Sequence, residues 1–467
     1  MLYFLNCDKI IITMEEIMEL MKNQIYESSI TSWSSEGAGV CRIGGRAVFV
    51  PGAIPGERWE IRIVKVTKTA VFGKGETLLS PSPYRIEPDC PHYKKCGGCS
   101  LRHVSYDGEM EFKLERVNEA YKRIGGIDLR AGEIIGAEDT LHYRNKAIYA
   151  IGQGPVKGFF RPRSHDVVAI DTCLIQDEAS DMAAKAVCDF MSENGIAAYD
   201  ELSGKGLVRH VFTRYGRTSG ELQVTVVASG GFGAKTQALA EAIRKACPQC
   251  VSIVLNVNRS KGNTVLAGDF YTLWGKDTIT DTLCGLDFEL SARSFYQINP
   301  VQAEKLYYKA LEYAAPDGKG LILDLYCGAG TISLCLARGC EKVIGAEIVP
   351  EAVENAKENA KRNGIENAEF ICADAGEAAA ELLRRVTRPD AVVVDPPRKG
   401  LAPDVIDSIC GMNPQRVVYV SCDVSTQARD LKLFEEKGYV ATKATAVDMF
   451  PRTSHVETVV LMSRIQA

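Results

Sequence analysis

A chain of 467 residues, 46% hydrophobic and 25% charged, has the composition of a globular protein of two to four domains. Its formal net charge of −5 excludes bulk basicity as the sign of a nucleic-acid partner. Its 16 scattered cysteines argue against a disulfide-stapled secreted scaffold and for a reducing cytoplasm.

Residues 1–22 form an N-terminal extension, a short helix or a disordered segment. Asp8, Lys9, Glu15, Glu16 and Glu19 break its apolar run, so neither a membrane span nor a signal peptide is expected. Residues 23–82 are rich in Gly, Val and Ile. Their strand-like runs at 39–43, 46–50, 58–66 and 70–79, parted by Gly44-Gly45 and Pro51-Gly52, predict a small five-stranded barrel of the OB type. Pro81, Pro83 and Pro88 mark a linker.

A central α+β domain is expected over residues 83–280. It opens with Cys90, Cys96 and Cys99 in C-x5-C-x2-C spacing, three thiols suited to a soft metal that would need a fourth ligand from elsewhere. Spacing alone leaves zinc and an iron–sulfur cluster both open. A helix is predicted from 105 to 124, placed to pack on the catalytic domain. Two segments mix cations with aromatics. Residues 142–165 carry Arg144, Lys146, Lys157, Arg161 and Arg163; residues 205–217 carry Lys205, Arg209, Arg214 and Arg217. Such mixtures can neutralise phosphates and stack bases, and as often they are solvated faces of a sheet. The pair Cys247 and Cys250 lacks partners and reads as structural.

From 281 to 467 short apolar runs (321–325, 342–346, 368–372, 391–395, 417–420) alternate with helical stretches such as 350–363. That rhythm predicts a doubly wound, Rossmann-like α/β sheet. Ligands bind at the carboxyl ends of such strands. There the chain places Asp324 with the glycine turn Gly328-Ala329-Gly330, then Glu347 in position for a ribose diol, then Asp374 near an adenine edge. The GxGxxG pattern of dinucleotide folds is absent. Acids on successive strands suit the cationic sulfonium of S-adenosylmethionine. Asp395-Pro396-Pro397-Arg398 makes a stiff elbow beside it, and Cys422 and Glu457 follow. Taken singly, Cys422 is more often a packed thiol and Glu457 a surface acid.

The segments SFYQIN (294–299), DLYCGAGT (324–331), DPPRKG (395–400), YVSCD (419–423) and HVETV (455–459) occur in this order. Together they resemble the RNA uracil-5-methyltransferase family, of the 23S rRNA type with a TRAM domain and an iron–sulfur cluster. The resemblance covers nearly all of the chain after about residue 23. It implies a class I fold, S-adenosylmethionine as methyl donor and an RNA substrate, with neither a membrane nor an obligate protein partner. It makes Cys422 the nucleophile and Glu457 the general base. Gln297, Tyr326, Glu347 and Asp395, with Asp374 added, would contact the cofactor or position the uracil, and Phe295 or Tyr296 would stack on the base. It also makes Cys173 the fourth ligand of a 4Fe–4S cluster with Cys90, Cys96 and Cys99, zinc being the lesser alternative. A tRNA enzyme of the same chemistry and a noncatalytic RNA-binding protein are the rival readings. Asp423 stands where the family commonly has Asn, and a carboxylate there could raise the thiol pKa unless it points away.

Overall fold

A computed structural model describes residues 20–315, 317–384 and 388–465. Apart from its last three residues, the predicted N-terminal extension lies outside them. Two compact units emerge. One takes the chain up to Pro88 together with Ser100–Phe112; the other takes Asp89–Cys99 and everything from Lys113 onward.

The first unit is built on a six-stranded sheet. Its strands, in spatial order, are Ile25–Ser29, Arg58–Val66, Val71–Ser80, Arg46–Val50, Gly39–Ile43 and the short Ser32–Trp33. Gly44 and Gly45 both have positive φ (54° and 76°), the geometry of a two-residue hairpin turn, and only glycine adopts it cheaply at both positions. Alternate residues Cys41, Val48, Val50, Ile61, Ile63 and Val71 fill its core. Three of the predicted strands coincide with the observed ones, the fourth is displaced by one residue, and the shape is the OB-like one expected.

In the second unit a seven-stranded sheet spans residues from Lys146 to Gly275. Helices Glu178–Glu193 and Thr236–Ala246 pack against it through Val187, Leu239 and Ile243. Cys247 and Cys250 are buried in that core, as a structural pair would be. A hairpin, Ile279–Leu283 and Leu286–Leu290, then leads to helix Pro300–Ala314 and the second sheet.

That sheet runs β1 Leu321–Leu325, α1 Thr331–Ala337, β2 Lys342–Glu347, α2 Pro350–Arg362, β3 Ala368–Cys372, α3 Ala375–Arg384, β4 Ala391–Val394, α4 Pro403–Met412, β5 Arg416–Ser421, α5 Val424–Glu435, β6 Tyr439–Val447 and β7 Glu457–Arg464. Its spatial order is β3-β2-β1-β4-β5-β7-β6, with Ile134–Ile135 pairing on the outer side of β6. Strands β1 to β5 are mutually parallel, and β7 is antiparallel to both β5 and β6. Successive residues of β5 alternate between two cores: Val418 and Val420 enter one, Val417 and Tyr419 the other. A sheet buried on both faces needs apolar residues at both parities, which is why its central strands at 391–394 and 417–420 read as unbroken apolar runs. From Lys113 on, helix Tyr106–Ala120 docks against the same domain. Its Lys113 ammonium donates to Asp448 over 2.6 Å, and Tyr121 Oη donates to Gln427 over 3.0 Å.

Candidate active site

A cleft of about 710 Å³ opens at the carboxyl ends of β1, β4 and β5, where the strand order reverses. Gln297, Tyr326, Glu347, Asp395, Cys422 and Glu457 all line it. Asp374 does not. Its carboxylate turns toward the first turn of α3 and accepts from the Gly376 N–H (2.9 Å).

Strand register explains why Cys422 and Glu457 share this cleft. Ser421 of β5 pairs antiparallel with Thr458 of β7, so one step further along the ladder Cys422 comes level with Glu457. Parity does the rest. Val418 and Val420 on β5, and Val459 and Leu461 on β7, face one core, so Cys422 and Glu457 continue that same face. Asp395 follows Ala391 and Val393 in the same way. Gln427 clamps the arrangement from α5. Its Nε2 donates to Tyr419 O (2.9 Å), and its Oε1 accepts from Tyr121 Oη and from Thr458 Oγ1 (2.7 Å).

Electrostatically the site is a set of acids held back from ionising. Burial pushes Glu457 up to about 8, and the nearby Asp395 charge adds to this. Burial likewise lifts Asp395 to about 7. Asp324, fully buried, is lifted to about 7 by burial against the opposing hydrogen bond from Ser333. The Cys422 thiol goes up to about 11, chiefly through burial, then through Glu457 and Asp395. Asp423 contributes least to that rise. Its carboxylate caps α5, accepting from the N–H groups of Ser425 (3.0 Å) and Thr426 (3.1 Å). An Asn would cap the helix equally well, so the departure at 423 leaves the thiol little changed. Arg398 is the cation that opposes the rise at both Cys422 and Glu457. The DPPRKG segment contained it, and its place three residues after Asp395 was the available signal for a role.

Other residues complete the walls. Tyr326 sits at φ +70°, a left-handed conformation uncommon for a side chain of this size and frequent where a site dictates the backbone. Glu347 accepts from the N–H groups of Gly328 (3.1 Å) and Val349 (2.9 Å), tying β2 to the glycine turn. Of the two candidate stacking rings, Phe295 is 65% exposed at the cleft while Tyr296 is buried and bonded to Asp281 (3.4 Å). Phe295 is therefore the available one. Gly98 and Arg144 reach the same cleft from far earlier in the chain.

The reading of the basic segments changes. Of the cations in 205–217, only Lys205 and Arg217 are exposed. Arg214 is buried and donates to Ser294 O (2.6 Å), and Arg209 is buried against Glu201 (2.8 Å). Lys157 is buried with Asp181 (2.6 Å). Arg161 and Arg163 alone of the aromatic-rich first segment's arginines stand fully in solvent, Arg144 being half-buried.

Cys90, Cys96, Cys99 and Cys173 are all half-buried. Cys96 lies close enough to Cys90 and to Cys173 for their charges to be felt. Its Sγ accepts from the Gly98 N–H (3.4 Å), and a side chain at Gly98 would approach that sulfur within 3.5 Å. A donor set of thiols suits iron–sulfur or zinc chemistry. Among the described residues, however, no three of these residue types come together as a ready metal-holding group.

The doubly wound sheet with its antiparallel seventh strand, and the acid-lined cleft at its switch point, define a class I methyltransferase that uses S-adenosylmethionine. A model of the tRNA (Uracil-5-)-methyltransferase family matches residues 105–465, and one of the TRAM domain matches residues 19–74. The chain belongs to this uracil-5-methyltransferase family and carries an N-terminal TRAM domain. It is similar to an "Uncharacterized RNA methyltransferase" of Clostridium tetani, 40% identical, with 96% of this chain and 98% of that one covered. A Clostridium acetobutylicum relative of the same description is 42% identical, covering 97% of this chain and 100% of its own. Among solved structures it resembles the Pyrococcus abyssi tRNA (uracil-54, C5)-methyltransferase in complex with S-adenosyl-L-homocysteine. That likeness has a TM-score of 0.77 at 30% identity over 94% of this chain and 100% of that one. The protein is thus an S-adenosylmethionine-dependent RNA methyltransferase. No helix among the described residues is long and apolar enough to cross a membrane.

Proposed function

We propose that this enzyme methylates C5 of a uridine in 23S rRNA through a covalent bond between Cys422 and C6 of the ring. The observation that carries the reading is that Cys422 and Glu457, one step beyond the last pair of the β5–β7 ladder, line one cleft. C5 of uracil is too weak a nucleophile to take a methyl group unaided. Addition of the Cys422 thiolate to C6 makes C5 carbanion-like. S-adenosylmethionine supplies an electrophilic methyl on a cationic sulfonium. Glu457, as carboxylate, then removes the C5 proton, and the Cys422 thiolate is expelled as the ring recovers its double bond. The raised acids suit this sequence, because a cation among Asp395, Glu457 and Cys422 favours their charged forms. Gln297, Tyr326, Glu347 and Asp395 would hold cofactor and base, with Phe295 against the flipped uracil. Asp374, outside the cleft, has the weakest claim to a part in this.

Cys90, Cys96, Cys99 and Cys173 would hold a 4Fe–4S cluster, with zinc the lesser alternative. Its role would be structural, since the methyl transfer uses no electron. The cysteine set together with the TRAM barrel supports an rRNA substrate. One observation favours tRNA instead: a solved enzyme named for tRNA covers nearly the whole of this chain. Mapping 5-methyluridine by mass spectrometry in rRNA and tRNA, from cells with and without the gene, separates the two. Loss of one rRNA mark is expected; a mark lost only from tRNA overturns the rRNA assignment. We assign the protein to the cytoplasm, where both RNAs reside.

A further inference from the structure

Outside the catalytic cleft, the central domain holds a second pocket of about 430 Å³, and nothing in the methyl-transfer chemistry uses it. Phe160, His165, Tyr199 and His210 supply rings to its walls. Phe160 meets His165 and His210 edge to face, with centroids 5.6 and 6.4 Å apart. His210 Nδ1 is buried with no hydrogen-bond partner among the described residues, a polar atom aimed at nothing. Burial, with the charge of Arg209, pushes His210 down to about 4, so its ring is neutral at pH 7.

The pocket does not suit a phosphate. Its one arginine, Arg209, is fully committed. It is paired with Glu201, donates to Asn258 O (3.1 Å) and Ser260 O (2.9 Å), and lies over the Tyr199 ring at 4.8 Å. Asp166 and Asp200 add negative charge to the lining. Such a set repels phosphate oxygens, but it can stack a planar ring and accept from exocyclic amino groups. Cations stand instead at the rim, where Arg161 and Arg163 are exposed on the turn that ends at Asp166. At the mouth, Leu202 is 99% exposed. Its loop is fixed in place by Asp200, which accepts from the N–H groups of Leu202 (3.1 Å) and Ser203 (2.6 Å).

We infer that this pocket takes a second unstacked nucleobase of the RNA substrate, a purine whose edge carries hydrogen-bond donors, while Arg161 and Arg163 contact the flanking phosphates. The inference needs the chain only to be an RNA methyltransferase, whichever uridine it modifies. One loop connects the two sites. Gly98 lines the catalytic cleft, and its neighbour Gly97 donates to the carbonyl of Phe160 (3.3 Å). A base held in the second pocket would therefore bear on the wall of the first.

Fluorescein-labelled decaadenylate and decauridylate, titrated by fluorescence anisotropy, test this. The full chain is used, saturated with S-adenosylhomocysteine so that adenine cannot enter the cofactor site. Leu202→Ser and Phe160→Ala should each weaken decaadenylate binding roughly tenfold, in keeping with the loss of one stacked base, and leave decauridylate almost unchanged. Unchanged S-adenosylhomocysteine affinity checks that each variant is folded, and the exposure of Leu202 makes its substitution safe for folding. Equal weakening of both oligomers, or weakening of neither, overturns the inference. Because the readout is binding, it stands or falls apart from the Cys422 chemistry.

Discussion

Cys422, just past the end of β5, and Glu457 of β7 meet because those two strands pair antiparallel, whereas Cys90, Cys96 and Cys99 share one short loop and their proposed partner Cys173 lies in another part of the chain. The first pair is set by the hydrogen-bond ladder, by side-chain parity and by the Gln427 clamp, all interior features that no ligand has to create. The cysteines have no such frame. Their loop lies outside any strand or helix, and among the described residues they do not close into a metal-holding group. A catalytic pair needs pre-set geometry, because misplacement costs rate directly. A metal centre can draw its ligands into place, because binding free energy becomes folding free energy.

The largest effect should come from breaking the catalytic pair. Cys422→Ala should reduce transfer of labelled methyl from S-adenosylmethionine to background. Glu457→Gln should slow turnover by about 10²–10⁴-fold and accumulate a protein–RNA adduct visible as a shifted band on a denaturing gel. Full turnover by Cys422→Ala would falsify the covalent mechanism.

A smaller effect on chemistry is expected at the cysteines, and it tests the other half of the comparison. Anaerobically purified protein should be brown, absorb near ~400 nm and carry about four irons per chain, as thiolate-ligated clusters do. Cys173→Ser should lose most of that iron. The cost should fall on RNA affinity more than on kcat, since the β5–β7 ladder does not pass through this loop. Colourless wild-type protein with stoichiometric zinc would decide for the lesser alternative.

Much of this was legible in the sequence, and what was not has a common cause. Apolar runs such as 391–394 and 417–420 stood out because strands in the middle of a sheet buried on both faces admit few polar residues. The ordered motifs singled out Cys422 and Glu457, which the structure brings into one cleft. The antiparallel course of β7 was hidden, because local sequence does not say which neighbour a strand will choose. The same limit misled the reading of the basic segments. Arg209 and Arg214 looked like RNA ligands, yet Glu201 and the carbonyl of Ser294 take them inward. Arg144 was seen for its own segment and not for the cleft that it and Gly98 reach. The second pocket draws its rings from three separate stretches, two of them the aromatic-rich basic segments, and nothing in the sequence says that these stretches meet.

The smallest expected effect sharpens the electrostatic side of the comparison. As the proposed base Glu457 would have to lose its proton to act, and burial with Asp395 holds it up at about 8. For the free enzyme kcat/KM should therefore rise with pH through that region. Asp395→Asn removes one of the charges that oppose ionisation of Glu457 and Cys422. Whatever it costs in maximal rate, it should move the rise toward lower pH by about one pH unit. Stability carries the opposite sign. A carboxyl raised in the folded state favours folding fully below its usual value near 4.5, and that contribution is lost as pH rises through about 8. Glu457→Gln should accordingly narrow the gap between the melting temperatures at pH 5 and at pH 8.5. A rate profile unmoved by Asp395→Asn, together with an unchanged gap, would mean that these carboxyls do not share one field, and the active site would then be no more electrostatically pre-set than the cysteine loop.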